Sequence, residues 1–338
     1  MELYPPVGQD VLDLISQANH IIIAGHKKPD GDCIYSCMAL DRIFASMGKK
    51  TVMVNEGPFN KSEVAPCASS FLPSVPDAFW AERPLVVIVD CSDLQRVGSA
   101  LDPEKCKGLK TVVLDHHSSH DSNFGDSVYR VPDSISTTLI VYKLAEALGV
   151  SLSKECAQYI FRGFITDSGC FKFLDSKQNE SYKIISALMN EHCICTSYEY
   201  EYLYNRESMA VNRFLSKLMD RCQLFYDGRL AISFETEQDA SDFPGISAPT
   251  DDLYARMFLV QGVEAVVMVK FVEPLRTNLG FRSSHRSGID VGSIAASMPG
   301  KFNGGGHFHA SGADVAFSID DTLKQLLDVF KPVFESKS

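Results

Sequence analysis

The chain has 338 residues, 45% of them hydrophobic and 22% charged, with a formal net charge of −11 at pH 7. That length suggests two domains, and the composition is that of an ordinary globular protein rather than a disordered one. No run approaches the ~20 apolar residues of a membrane span, and the acidic balance disfavours long duplex nucleic acid, which needs many Lys and Arg contacts to phosphate.

The opening MELYPPVGQD has no basic stretch followed by an apolar run, so no secretory leader is expected and the cytoplasm is the expected compartment. Ten cysteines are scattered through the chain without a Cys-x-x-Cys pair, the nearest approach being Cys193-Ile194-Cys195. In a reducing compartment they should remain thiols.

Taken in order, the first half alternates strands and helices. His20–Ala24 reads as a strand, 33–47 as a helix and Thr51–Val54 as a second strand. Leu85–Val89 and 111–114 are continuous apolar runs rich in β-branched residues, as expected of strands buried on both faces. Residues 136–148 and 154–164 read as helices. This alternation predicts an α/β fold with a mostly parallel sheet flanked by helices over residues 1–190. Helical periodicity dominates from about residue 176 to 222, and 191–222 is read as a connector. Beyond it, strands at 230–234, 263–271, 279–283 and 314–317 predict a smaller mixed α/β domain over 223–338.

The most informative residues stand where the strands end. GHKKPDGD places His26, Asp30 and Asp32 after the first, Asp90 comes directly after 85–89, and Asp115-His116-His117 after 111–114. Phe164-Ile165 leads into Thr166-Asp167-Ser168-Gly169, read here as a fourth acidic strand end. In a parallel sheet such positions gather along one edge. Five aspartates and three histidines there would repel one another unless cations compensate them. Oxygen and imidazole donors suit Mn²⁺, Zn²⁺ or a related ion, and a shared carboxylate would set up a two-metal hydrolytic centre. A single Asp after a strand is usually a helix cap or turn residue, but four in succession are hard to attribute to turns.

These motifs, in this order, resemble those of the DHH phosphoesterases, and the later GGGHFHASG resembles the DHH-associated domain that accompanies many of them. The resemblance implies two divalent ions, with Mn²⁺ expected. It places His26, Asp30 and Asp90 on one ion and Asp32, Asp90, His116 and Asp167 on the other, with Asp90 as the bridge. It also implies an orienting role for Asp115 and a place for His117 beside the scissile phosphate or the metals. The proton donor stays open between His117, a C-terminal histidine and solvent at the metals. One departure is Cys33-Ile34-Tyr35-Ser36, where the family has a small residue followed by Gly-Ser; Tyr35 either narrows the pocket or packs on its helix.

In the second domain, Gly304, Gly305 and Gly306 allow backbone N–H groups to approach an anion, since no Cβ intervenes. Beside the family pattern, Arg282, Ser283, these glycines and His307 are expected to grip a substrate phosphate, while His285, Arg286 and His309 are as readily surface residues. Lys27 and Lys28 are read as solvated loop lysines, with attraction of phosphate the alternative. Cys33, Cys91 and Cys170 sit by the predicted ligand loops; ordinary packing is the simpler reading, with redox sensitivity or soft-metal binding the alternative.

The resemblance points to hydrolysis of short oligoribonucleotides and of 3′-phosphoadenosine 5′-phosphate, with the small domain holding one end of a short ligand. The expected partner is short RNA or a nucleotide, with no membrane; a homodimer is left open. The rival within the family is a phosphodiesterase for cyclic or linear dinucleotides. A pyrophosphatase would have a different second domain, and a non-catalytic nucleotide sensor would lack ligands that are all present here.

Overall fold

The computed structural model describes residues 3–91, 93–117, 124–174 and 177–335. Residue 176, where the helical stretch was expected to begin, lies outside the described residues. The chain divides into two compact units, Met1–Arg206 and Glu207–Ser338.

In the first unit, α1 (Gln9–Gln17) leads into β1 (His20–Ala24), α2 (Gly31–Ser46) and β2 (Lys50–Val54). One-turn helices α3 (Asp77–Trp80), α4 (Leu94–Val97) and α5 (Pro103–Cys106) flank β3 (Leu85–Val89) and precede β4 (Thr111–Asp115) and β5 (Ser127–Arg130). Then come α6 (Thr137–Ala147), α7 (Lys154–Asp167), α8 (Asn179–His192) and α9 (Thr196–Tyr204). The five strands form one parallel sheet in the order β2-β1-β3-β4-β5.

The apolar runs are continuous because both faces are covered. Ile21, Ile23, Val87, Val89 and Leu114 pack with Leu40 and Phe44 of α2, Leu139 and Leu144 of α6, and Ile160 and Phe164 of α7. Ile22, Ala24, Val86, Ile88 and Val113 pack on the other side with Val97 and Leu101. The predicted α/β class with a parallel sheet is what the fold shows. β5 had not been expected; it is only four residues long, too short to give a hydrophobic period.

A buried ion pair ties α9 to α7. Arg162 Nε donates to Glu199 Oε2 at 2.6 Å, Gln158 Nε2 donates to Glu199 Oε1 at 2.6 Å, and the guanidinium lies 3.7 Å from the centre of the Tyr202 ring. Both charged side chains are almost wholly inaccessible, at 9% and 1%.

The second unit begins with α10 (Met209–Asp220), β6 (Gln223–Phe225), β7 (Leu230–Phe234), α11 (Glu237–Asp242) and α12 (Thr250–Met257). It continues with β8 (Ala265–Glu273), β9 (Arg276–Ser283), α13 (Val291–Ser297), β10 (Lys301–His307), β11 (Ala310–Val315) and α14 (Ile319–Glu335). Its mixed sheet runs β10-β11-β9-β8-β7-β6, with β7 and β8 parallel and the other pairs antiparallel. Alternate residues of β8 serve opposite cores: Val267 and Val269 meet Phe330 and Phe334 of α14, whereas Val266 and Met268 meet Phe214 of α10 and Leu253 of α12. The last strand ends at Val315 rather than Phe317, and β10, which carries the three glycines, had not been expected as a strand. The 191–222 stretch supplies α9 to the first unit and α10 to the second. Among the described residues, no helix is long and apolar enough to cross a membrane.

Replacing Glu199 by Ala strands the Arg162 charge in a dry interior. The expected loss is about 3–5 kcal/mol, read as a lowered urea midpoint; a midpoint equal to wild type would show that the pair does not tie α9 down.

Candidate active site

In a 2-1-3-4-5 parallel sheet the chain reverses its direction of winding between β1 and β3, which opens a crevice at the carboxyl ends of those strands. His26 lies just beyond β1 and Asp90 directly beyond β3, the central strand. Asp90 has φ +59°, in the left-handed region that side chains rarely occupy and Asp tolerates better than most. Its amide donates to the Leu114 carbonyl at 2.9 Å. This conformation turns the carboxylate out of the strand direction, and the side chain is buried.

Two histidines face Asp90 from opposite sides. His26 Nε2 lies 3.4 Å from Asp90 Oδ2 and 3.7 Å from Asp30 Oδ1. His116 Nε2 lies 3.4 Å from Asp90 Oδ1, 3.4 Å from Asp167 Oδ2 and 4.0 Å from Asp32 Oδ2. Each ring is fixed through its other nitrogen: Nδ1 of His26 is 2.9 Å from the Lys27 carbonyl, and Nδ1 of His116 is 3.1 Å from that of Ser134. A carbonyl only accepts, so Nδ1 carries a proton, which leaves Nε2, facing the carboxylates, as the nitrogen that a metal ion would take in exchange for a proton. Metal-binding imidazoles are held from behind in this way.

The carboxylates are held as firmly. Asp32 accepts from the Thr137 and Thr138 amides at 2.6 and 3.0 Å, so an aspartate of α2 satisfies the free N–H groups at the start of α6. The Thr137 hydroxyl donates to Asp90 Oδ1 at 3.0 Å. Asp30 caps α2 through the Cys33 amide at 3.1 Å. Asp167 ends helix α7, so it comes from a helix terminus and not from a fourth strand end. Gly31 lets α2 approach that terminus, since a Cβ there would sit 2.4 Å from Thr166 Oγ1.

The charges do not balance without cations. Burial, with the neighbouring charge of Asp90, pushes Asp32 up to about 7. Burial and then Asp32 push Asp167 up to about 8. Burial would also raise Asp90, but hydrogen bonds from His116 and His26 outweigh it and hold that carboxyl far below the usual range. His116 would be lowered by burial, yet Asp90, Asp32 and Asp167 hold it at about 10. Protons are thus drawn in to neutralise the cluster, a role a divalent ion fills. The spacing fits as well: two donors about 2.0–2.2 Å from one ion lie roughly 3–3.5 Å apart, as the 3.4 Å separations do. Among the described residues three sets of three donors each fall within 4.8 Å: Asp32 with His116 and Asp167, Asp90 with His116 and His117, and Asp90 with His26 and Cys33.

Asp115 and His117 stand beside these groups. Asp115 is fully buried, and its Oδ1 accepts from His117 Nδ1 at 2.8 Å and from the His117 amide at 3.2 Å. Burial would raise this carboxyl, but the two bonds from His117 hold it below its ordinary value. The imidazole is thereby oriented with Nε2 as its remaining nitrogen. Tyr35 packs in the core, donating to the Glu63 carbonyl at 2.9 Å. Lys27 and Lys28 are exposed.

In the second unit, Arg282, Ala310 and His307 are cross-strand partners on β9, β11 and β10. Arg282 lies over the Tyr254 ring at 4.8 Å, with Nη2 3.6 Å from Asp251 Oδ1. Ser283 is buried, its hydroxyl donating to the Ile289 carbonyl at 2.8 Å and lying 3.0 Å from His309 Nδ1. The three glycines form an exposed edge strand. Gly304 and Gly306 have φ of +120° and +151°, and a Cβ at Gly304 would lie 2.3 Å from the Gly312 carbonyl oxygen. Around Gly305 there is open space. Sequence reasoning missed Gly31, Thr137 and Thr138; the Ser-Thr-Thr run that opens α6, with Ser136 at its cap, was the available signal.

A crevice at the winding reversal of a parallel sheet, lined by carboxylates and imidazoles fixed from behind, is the scaffold and donor chemistry of a metal-dependent hydrolase. The DHH family, N-terminal domain, matches residues 20–164, so the first unit is similar to that family's domain. The chain is 24% identical over 316 residues to the bifunctional oligoribonuclease and PAP phosphatase NrnA of Thermus thermophilus, covering 92% of this chain and 89% of that protein. It is 29% identical over 164 residues to a probable manganese-dependent inorganic pyrophosphatase of Bacillus mycoides, covering 45% of this chain and 49% of the other. The fold matches the crystal structure of an exopolyphosphatase-related protein from Bacteroides fragilis with a TM-score of 0.83 and 23% identity, over 97% of this chain and 98% of that one.

Adding Mn²⁺ to chelator-treated protein should raise its melting temperature, by about 2.7 kcal/mol of stabilisation at an ion concentration 100 times Kd. Asp90→Ala should remove most of that shift. A melting curve indifferent to Mn²⁺ would count against the site as a metal centre.

Proposed function

We propose that this protein hydrolyses short oligoribonucleotides and 3′-phosphoadenosine 5′-phosphate, using two divalent ions, Mn²⁺ first among them. The observation that carries this reading is the convergence of Asp30, Asp32, Asp90 and Asp167 with the Nε2 atoms of His26 and His116. His26, Asp30 and Asp90 would hold one ion and Asp32, Asp90, His116 and Asp167 the other. When bound, such ions neutralise phosphate charge and activate water at neutral pH.

The chain's own groups supply the rest. Asp90, fixed by Thr137, presents one oxygen to each histidine, as a bridging carboxylate must. Asp115 holds His117 so that Nε2 can pass a proton to or from the substrate. In the second unit Arg282 offers a planar fork for phosphate, and the β10 edge leaves one row of backbone groups unpaired by strands.

The substrate class is favoured by extent of likeness. The NrnA relative aligns along both units, whereas the pyrophosphatase likeness covers less than half of the chain. Purified protein in Mn²⁺ should be given 5′-labelled RNAs of graded length, 3′-phosphoadenosine 5′-phosphate, cyclic dinucleotides and pyrophosphate. Fast turnover of the shortest RNAs, falling with length and lost in Asp90→Ala, is the expected result. Arg282→Ala should raise KM about tenfold with a smaller change in kcat, the size of one lost phosphate contact. Selective cleavage of cyclic dinucleotides or pyrophosphate would overturn the assignment.

A further inference from the structure

The set of four aspartates and two histidines leaves out one donor. Cys33, the third residue of α2, is completely buried. A ring nitrogen of His26, the sulfur of Cys33 and a carboxylate oxygen of Asp90 all lie within 4.8 Å of one another. At bond lengths of about 2.3 and 2.1 Å, sulfur and nitrogen donors to one tetrahedral ion lie roughly 3.6 Å apart. Closing the set on one ion therefore requires these side chains to draw together by up to roughly 1 Å.

The surroundings favour the sulfur in that place. Gly25 makes the room for it, since a Cβ there would come 2.2 Å from Cys33 Sγ. The thiol's hydrogen-bond contact to the His26 carbonyl is long, at 3.9 Å. Cys91 is equally buried and lies next to Asp90 in the chain, yet among the described residues Cys33 is the cysteine found in a three-donor group.

We propose that Cys33 is a thiolate ligand to the divalent ion held by His26 and Asp90, giving that position a preference for softer ions over Mn²⁺. The inference rests on the metal-centre reading above. On binding, the S–H bond breaks and its proton passes to solvent, while a sulfur lone pair forms the bond to the ion; nothing is oxidised or reduced. Thiolates favour Zn²⁺ and similar ions, whereas carboxylates alone suit Mn²⁺ and Mg²⁺. The two positions would therefore differ in selectivity.

The test is titration of the metal-free, full-length protein with Co²⁺, monitored by absorbance and calorimetry. An intense near-ultraviolet sulfur-to-cobalt charge-transfer band is expected. It should be absent from Cys33→Ser and Cys33→Ala and retained in Cys91→Ser, and the Zn²⁺-over-Mn²⁺ preference should fall about tenfold or more in the Cys33 variants. Heat of Co²⁺ binding without that band in the wild-type protein would overturn the thiolate assignment while leaving the metal centre standing. A band that survives Cys33→Ser, or moves with Cys91, would overturn it too. No binding of Co²⁺ at all would remove both this inference and the centre it rests on.

Discussion

Crowding of negative charge around Asp90 is the constraint on which the rest of the site depends. Asp32 and Asp90 are buried, and Asp30 and Asp167 are only partly exposed beside them. Carboxylates this close in a low-dielectric crevice repel strongly unless positive charge or hydrogen-bond donors are supplied. The fold supplies donors: the amides opening α6 reach Asp32, the Thr137 hydroxyl reaches Asp90, and the Cys33 amide reaches Asp30. It does not supply enough, and Asp32 and Asp167 both hold their protons well above the ordinary carboxylate range. Divalent cations would complete what the polypeptide leaves unbalanced.

The groups behind these side chains matter as much. Backbone carbonyls of Lys27 and Ser134 set the two histidine rings, and strained backbone at Asp90 aims its carboxylate. Helices α2 and α7 come close only because residue 31 is glycine. Thus the position of Asp167 depends on a residue with no side chain, and the docking of α9 on α7 depends on the ion pair between Arg162 and Glu199. Packing, capping and charge act on the same few atoms.

Much of the catalytic unit was legible in the sequence because its strands are apolar on both faces and stop at polar residues. His26, Asp30, Asp32, Asp90 and His116 could be placed at strand ends from that pattern, and the structure puts them at one crevice. Asp167 was misread in origin: Phe164 and Ile165 imitate the end of a strand, but they complete a turn of α7. The glycine run became strand β10 because pairing with β11 overrides the poor strand propensity of glycine. Contributions from backbone amides, such as those of Thr137 and Thr138 to Asp32, leave no trace in residue type. Nor does a pairing as distant in sequence as Arg162 with Glu199.

The proposed chemistry turns on Asp90 being shared between two ions. Crystals grown with Mn²⁺, measured on both sides of the manganese absorption edge, test it most directly. Two anomalous peaks are predicted, one between His26 and Asp90 and one between Asp90, His116 and Asp167. A single peak, or peaks away from Asp90, would contradict it.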